Sequence, residues 1–336
     1  MNDAKVDDLI IGTSLVMQEL RNSVRRAATS KSPVLIQGPT GAGKELVALG
    51  LHSESGRRGQ LIACNIAAIS DSLFESEIMG HVRGAFTGAV RDHRGVLRRA
   101  SHGTAFLDEI GDMPTSAQIK LLRVIDTAEV WPVGADVGEW CDFRLVTATN
   151  VDLAEAERHG RFRRDLLHRL RGITINVPAL RDHPEDIAHL AAYFARVDTS
   201  EPAKPTVRVT PRAILRLEQH DWPGNVRELR QTIAFAALLS DGPAITEMHV
   251  ERALAPAGGV LSDIPPAAYA SHRRELLALL AKFAGDVNAV AAALGVTRST
   301  AYRRMHRLGI EVQRRGPRLR LTADCGVRNS GVMANR

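Results

Sequence analysis

The chain has 336 residues, 44% hydrophobic and 24% charged, the balance of a soluble globular protein with length for two or three domains. No run of about 18 uncharged apolar residues occurs, and the opening MNDAKVDDLI carries acidic groups where a secretory signal would be apolar. The net charge of +6 is uneven: residues 271–336 hold 13 Lys+Arg against 4 Asp+Glu, and the rest holds 31 against 34, so a near-neutral body carries a basic C-terminal fifth suited to a polyanion.

Membrane spanning is therefore not expected, and the cytoplasm is the expected compartment. The three cysteines, Cys64, Cys141 and Cys325, are too far apart for a CxxC site and odd in number for a disulfide framework. The twelve histidines form no HExxH pattern, so no structural metal is expected.

In chain order, VLIQ (34–37), LIAC (61–64), TAFL (104–107), FRLVTAT (143–149) and ITINV (173–177) are short, nearly continuous apolar runs. Such runs suit parallel strands buried on both faces. Segments between them, such as SAQIKLLRVID (116–126), space their apolar residues helically, so the fold class is α/β, a covered parallel sheet. After Pro178 only helical patterns are read, at 184–196, 211–219, 225–239 and 246–254, which predicts an all-helical subdomain over 178–254 following an α/β subdomain over 1–177. Residues 255–270, with three prolines and a Gly-Gly pair, predict a linker. Three short helical patterns over 271–312 precede an Arg-rich tail, 313–336, expected to be disordered.

Five motifs carry the chemistry. GPTGAGK (Gly38, Pro39, Thr40, Gly41, Ala42, Gly43 and Lys44) follows a strand and opens a helix, the setting of a phosphate loop. Its glycines let backbone N–H groups turn toward phosphates, and Lys44 reaches the outer ones. Glu45 stands where the generic pattern has the Ser or Thr that ligates Mg2+. TAFLDE ends a strand in Asp108, suited to holding Mg2+, and Glu109, suited to polarising the water that attacks the γ-phosphate. VTATN ends another in Thr149 and Asn150, polar groups able to sense that phosphate. FRRDLLHRL offers Arg163, Arg164 and Arg169, whose plain reading is a solvated basic helix face, the reading favoured for Arg164. WPGNVREL places Arg227 in a first helical turn, where a cation opposes the helix dipole.

HVRGAFTGA (81–89) lacks periodicity. Gly84, Ala85, Gly88 and Ala89 give it flexibility around Phe86 and Thr87, and by itself it reads either as loop packing or as an interaction tip.

Taken together, GPTGAGKE, ESEIMGHVRGAFTGA, GTAFLDEIGDMP, LLRVID, GRFRRDLLHRL, VPALRDHPEDI and WPGNVREL resemble the bacterial sigma-54-dependent transcriptional activators, enhancer-binding proteins of the AAA+ ATPase superfamily. The resemblance covers about residues 11–253, and Lys-Glu at 44–45 is ordinary in that family. It implies ATP and Mg2+ as ligands, Asp108 and Glu109 as the Walker B pair, and Asn65 as an asparagine restraining Glu109. It further implies Thr149 and Asn150 as sensor I and Arg227 as sensor II. Arg163 and Arg169 would be arginine fingers offered to a neighbouring subunit in a ring, typically a hexamer. Gly84 to Ala89 would form the loop that engages sigma-54 RNA polymerase.

The C-terminal NAVAAALGVTRSTAYRRMHRLGI resembles the family's Fis-type helix-turn-helix, with Thr297 as an N-cap and Arg298, Ser299, Thr300, Tyr302, Arg303 and Arg304 on a recognition helix facing enhancer DNA. No input domain is expected in the ten residues before Ile11, so control is expected from a separate regulatory protein, from expression level or from a partner activator. The chain departs from the family where two carboxylates and an arginine near the loop are replaced by Val82, Arg98 and Pro132, which predicts a rewired relay. The reading is an ATP-hydrolysing activator. Its rivals are a DNA-binding regulator with a silent ATPase and a remodeller of another client.

Overall fold

The structure is a computed structural model that describes residues 5–197, 207–240, 242–255 and scattered positions between 279 and 290. Met1–Leu254 and Ala255–Arg336 are separate compact units. In the second, Leu280, Val287 and Val290 are buried, and the helix-turn-helix contacts expected at Thr297 to Arg304, like the linker and the tail, lie outside the described residues.

The strands of the first unit are β1 (Val34–Gln37), β2 (Leu61–Asn65), β3 (Thr104–Asp108), β4 (Glu129–Val130), β5 (Glu139–Trp140), β6 (Arg144–Thr149), β7 (Ile173–Asn176), β8 (Arg208–Val209) and β9 (Ala244–Ile245). Its helices begin with α1 (Val6–Leu9), α2 (Leu15–Ala28), α3 (Lys44–Glu54), α4 (Phe74–Met79) and α5 (Gly95–Arg99). They continue with α6 (Thr115–Thr127), α7 (Leu153–Arg158), α8 (Arg164–Leu170), α9 (Ile187–Val197), α10 (Pro211–Glu218), α11 (Asn225–Leu239) and α12 (Glu247–Leu254).

Five strands form one parallel sheet in the order β2-β3-β6-β1-β7. The two-residue period of a strand explains its continuous apolar runs. Val34, Ile36, Phe106, Val146 and Ala148 pack with Val24, Val47 and Leu51 of α2 and α3 on one face. Leu35, Ala105, Leu107 and Leu145 pack with Ile78, Leu121 and Leu166 of α4, α6 and α8 on the other. Because all five strands run the same way, Gln37, Asn65, Asp108, Thr149 and Asn176 end at one edge, where α/β sheets hold ligands.

At the opposite edge β6 opens with a buried arginine. Arg144 donates to the carbonyls of Ala28 (2.8 Å) and Ala27 (2.6 Å) in the last turn of α2, where carbonyls lack partners within the helix. Burial and the nearby Arg57 charge push its pKa down.

Two features depart from the sequence expectation. β4 and β5 pair antiparallel as a hairpin where no strand was predicted, with Trp131 against Gly138 and both Trp131 and Trp140 exposed. The subdomain after Val177 is not purely helical: β8 and β9 pair in parallel beside α9 to α12. Strands of two residues are too short to show a period, so the pattern there reads as loop. Leu190, Phe194, Leu217, Trp222, Leu229 and Ile233 form the subdomain's core.

The chain's start is fastened to this subdomain by Asp186, a fully buried carboxylate that accepts from Thr13 N (2.6 Å), Ser14 N (3.0 Å) and Ser14 Oγ (2.6 Å) and pairs with His183 Nδ1 (3.0 Å). These bonds hold its carboxyl below the usual range against burial, which acts the other way.

Candidate nucleotide site and adjoining loop

Gly38 to Lys44 run from the end of β1 into α3 as the motif requires. Gly41 (φ 77°) and Gly43 (φ 101°) take the left-handed conformation that lets the loop wrap, and a side chain at Gly38 would collide with Val177. Lys44 is buried, and its Nζ donates to the carbonyls of Gly38 (3.1 Å) and Pro39 (3.4 Å). Glu45 is exposed in the first turn of α3, where an acid suits the helix dipole.

The acids arrive on β3. Asp108 Oδ1 accepts from Glu109 N (3.0 Å), and Glu109 adopts φ 54°, which ends the strand and redirects the chain. Its carboxylate lies 3.7 Å from Lys44 Nζ and accepts from Asn150 N at 3.3 Å. β6 delivers Thr149 and Asn150 to the same place. The Thr149 carbonyl accepts from Gly38 N (3.2 Å), the buried Thr149 hydroxyl accepts from Val151 N (3.0 Å), and Asn150 Nδ2 donates to Thr40 Oγ1 (2.8 Å). Lys44, Glu109 and Asn150, far apart in sequence, thus form one contact set.

Asn65 departs from the expected arrangement. The β2–β3 register sets it beside Asp108, but its side chain is exposed and makes no bond to Glu109, whose oxygens go to Lys44 and Asn150. Arg227 is also exposed. It meets the phosphate loop through its backbone, with Arg227 N donating to the Gly41 carbonyl at 3.1 Å. The residue that sequence reasoning missed is Asn225, two positions earlier, whose Nδ2 donates to the Thr40 carbonyl at 3.0 Å.

Arg163, the residue that precedes α8, and Arg169, on α8, stand apart from this set. Arg163 is bound twice by Asp165 (Nε 3.0 Å, Nη2 2.6 Å), and Arg169 pairs with Asp126 at 2.9 Å. The Arg163–Asp165 contact raises the arginine's pKa and lowers the carboxyl's.

Gly84 to Ala89 fold into a compact turn: Gly84 N donates to the Ala89 carbonyl (2.9 Å) and Ala89 N to that of Phe86 (3.0 Å). Gly84 (φ 84°) and Gly88 (φ 103°) make the reversals, and Thr87 is exposed. Phe86 lies edge-on to His81 at 4.9 Å, and His81 in turn holds Ser76 Oγ at 2.7 Å. The loop base is bound to the hairpin, with Val82 N donating to the Val133 carbonyl (3.1 Å) and Val133 N to that of Gly80 (2.8 Å). Arg98 is not left without a partner: its Nε donates to Glu139 of β5 at 2.7 Å, and Arg94 approaches the same carboxylate at 3.7 Å.

Known proteins carry the same architecture. Residues 10–176 match the sigma-54 interaction domain family, and residues 181–260 the AAA+ ATPase lid domain. The chain is 45% identical over 232 residues to the anaerobic nitric oxide reductase transcription regulator NorR of Aliivibrio fischeri, covering 69% of this chain and 45% of that protein. It is 40% identical over 302 residues to the transcriptional regulatory protein ZraR of Escherichia coli K12, covering 89% of this chain and 68% of that protein. The chain thus spans less than half of NorR and about two thirds of ZraR. A crystal structure of NtrX from Brucella abortus in complex with ADP superposes with a TM-score of 0.67 at 31% identity, over 91% of this chain and 70% of that one. NtrX in complex with ATP gives 0.65 at 33% identity, over 89% and 69%. An α/β sheet ending in a phosphate loop, a helical lid, and kinship along nine tenths of the chain place this protein in the sigma-54-dependent transcriptional regulator family, with an AAA+ ATPase domain.

Proposed function

We propose that this protein is an ATP-hydrolysing transcriptional activator of the bacterial cytoplasm. In this reading it binds enhancer DNA through residues 271–312, assembles into a homo-oligomeric ring, typically a hexamer, and remodels sigma-54 RNA polymerase closed complexes through the loop from Gly84 to Ala89. The observation that carries the reading is the joining of Lys44, Glu109 and Asn150 at the mouth of the phosphate loop, in a chain that also presents Thr87 to solvent.

The residues fit a nucleoside triphosphate with Mg2+. The glycine-rich loop offers backbone donors, Lys44 supplies a buried cation, and Asp108 spends one carboxylate oxygen on Glu109 N and keeps the other. Mg2+ is commonly held by one or two carboxylates together with phosphate oxygens, and it would supply charge neutralisation on the phosphates. Glu109 accepts a proton from the water attacking the γ-phosphorus. A new P–O bond forms, the bond to the β-phosphate oxygen breaks, and ADP leaves with Lys44 facing the developing charge. Asn150 orients Glu109 from its backbone N–H, and Arg163 and Arg169 serve the nucleotide of a neighbouring copy.

The test is open-complex formation by sigma-54 polymerase on a promoter with an upstream enhancer. The parent protein is expected to drive it with ATP, and truncation before Ser271 to retain ATPase while losing enhancer binding. ATP turnover without open complexes would favour a remodeller of another client, and DNA binding without turnover a regulator with a silent ATPase.

A further inference from the structure

A loop whose N–H groups turn inward to meet phosphates must turn carbonyls outward, and each buried outward carbonyl needs a donor. Two such donors come from the lid. Asn225 Nδ2 reaches the Thr40 carbonyl at 3.0 Å and Arg227 N reaches the Gly41 carbonyl at 3.1 Å. The contact is tight, because a side chain at Gly41 would collide with the Gly224 carbonyl.

Asn225 is built for this position. It is 3% exposed, it adopts φ 54°, a left-handed conformation that asparagine tolerates better than most residues, and its amide is used on both sides. While Nδ2 faces the phosphate loop, Oδ1 accepts from Leu180 N at 2.9 Å in the segment that leads from β7 into the lid. Thr40 sits between two such amides, since its hydroxyl accepts from Asn150 Nδ2. One side chain therefore ties the phosphate loop, the exit of β7 and the first turn of α11 together.

We infer that Asn225 is a positioning residue for nucleoside di- and triphosphates: from the lid, and without touching the ligand, it holds the phosphate loop in its phosphate-accepting shape. The inference rests on the nucleotide reading of the site. By linkage, a lid contact that favours nucleotide binding makes nucleotide favour the docked lid by the same factor.

Asn225→Gly permits the left-handed turn and removes the amide. Loss of one such hydrogen bond corresponds to about three- to tenfold weaker binding. That loss is expected equally for ADP and for a non-hydrolysable ATP analogue, falling on KM rather than kcat, with faster amide exchange over residues 39–44 in the protein without nucleotide. Should the glycine variant not fold, Asn225→Asp keeps the turn and the acceptor for Leu180 while removing the donor; exchange read without nucleotide is free of phosphate repulsion. Parent-like affinity for both nucleotides, a loss confined to kcat, or unchanged exchange over residues 39–44 in the folded variant overturns the inference. If the parent itself binds neither nucleotide, and Lys44→Ala behaves as it does, the nucleotide reading fails instead.

Discussion

Lys44 Nζ stands 3.7 Å from Glu109 Oε1, so the cation meant for phosphates and the carboxylate meant for water restrain one another. Glu109→Gln keeps the shape and removes both the base and the counter-charge. It is expected to bind ATP at least as well as the parent while turnover falls by about 10²–10⁴. Lys44→Ala is expected to lose affinity instead. Titration with a fluorescent ATP analogue beside steady-state hydrolysis separates the two, and matching binding defects would contradict the assigned roles.

Arg163, which caps the start of α8, and Arg169, on that helix, are occupied by Asp165 and Asp126 within their own chain. If they serve a neighbour, replacing either with alanine should cost about 10³–10⁵ in turnover. Mixing Arg169→Ala with Lys44→Ala protein should restore part of it, since some interfaces then pair an intact finger with an intact loop. Failure to rescue at every mixing ratio would count against the ring.

The exposed Thr87 and Phe86, the latter with its ring edge-on to His81, separate motor from client. Thr87→Ala is expected to abolish open-complex formation while ATP hydrolysis continues. If hydrolysis alone is lost and sigma-54 binding survives, the loop belongs to the motor.

Arg98 and Glu139 join α5 to the hairpin beneath the loop. Either single charge reversal is expected to weaken coupling of hydrolysis to open-complex formation, and Arg98→Glu with Glu139→Arg together to restore it. The triple change Val82→Glu, Arg98→Glu and Pro132→Arg breaks the same pair, so it should also alter coupling without changing nucleotide affinity. A double reversal no better than the singles would show that the pair only decorates the surface.

Asp186 sets an acid limit on stability. Its folded pKa is depressed, so its contribution is full above about pH 4, the unfolded value, and is lost as pH falls through the folded value. Asp186→Asn should cost about 3 kcal/mol at neutral pH, since the buried hydroxyl and imidazole lose their charged acceptor, and the gap to the parent should close in acid. Chemical denaturation across pH measures it, and a gap independent of pH would refute the assignment.

The five sheet strands were legible because each is a short, nearly continuous apolar run, and their parallel direction follows from the helical segments between them. The apolar run over 34–37 coincides with β1, and the other four runs match their strands to within one residue at an end. The hairpin was not legible, since two residues a side, with Pro132 and Gly138 between, leave no alternation to read. Asp108, Glu109 and Asn150 announced themselves as polar groups at the ends of apolar strands, and Lys44 as the cation closing a glycine-rich loop at the start of a helix. Asn225 did not, because its meaning lies in a left-handed turn and a partner 185 positions away. Asn65 was placed by analogy, and the register that seats it beside Asp108 does not carry it to Glu109.

The clasp at Asp186 has a mechanical corollary. Thr13 and Ser14 are bonded to the lid's first turns, and Arg21 Nη1 grips the carbonyls of Ile10 and Gly12 at 2.9 Å each, so the start of the chain works as a lever on the lid. Force applied ahead of Val6, by a tag, a tether or a fused domain, would be delivered to the element that backs the phosphate loop, and pulling there should change how fast nucleotide enters and leaves.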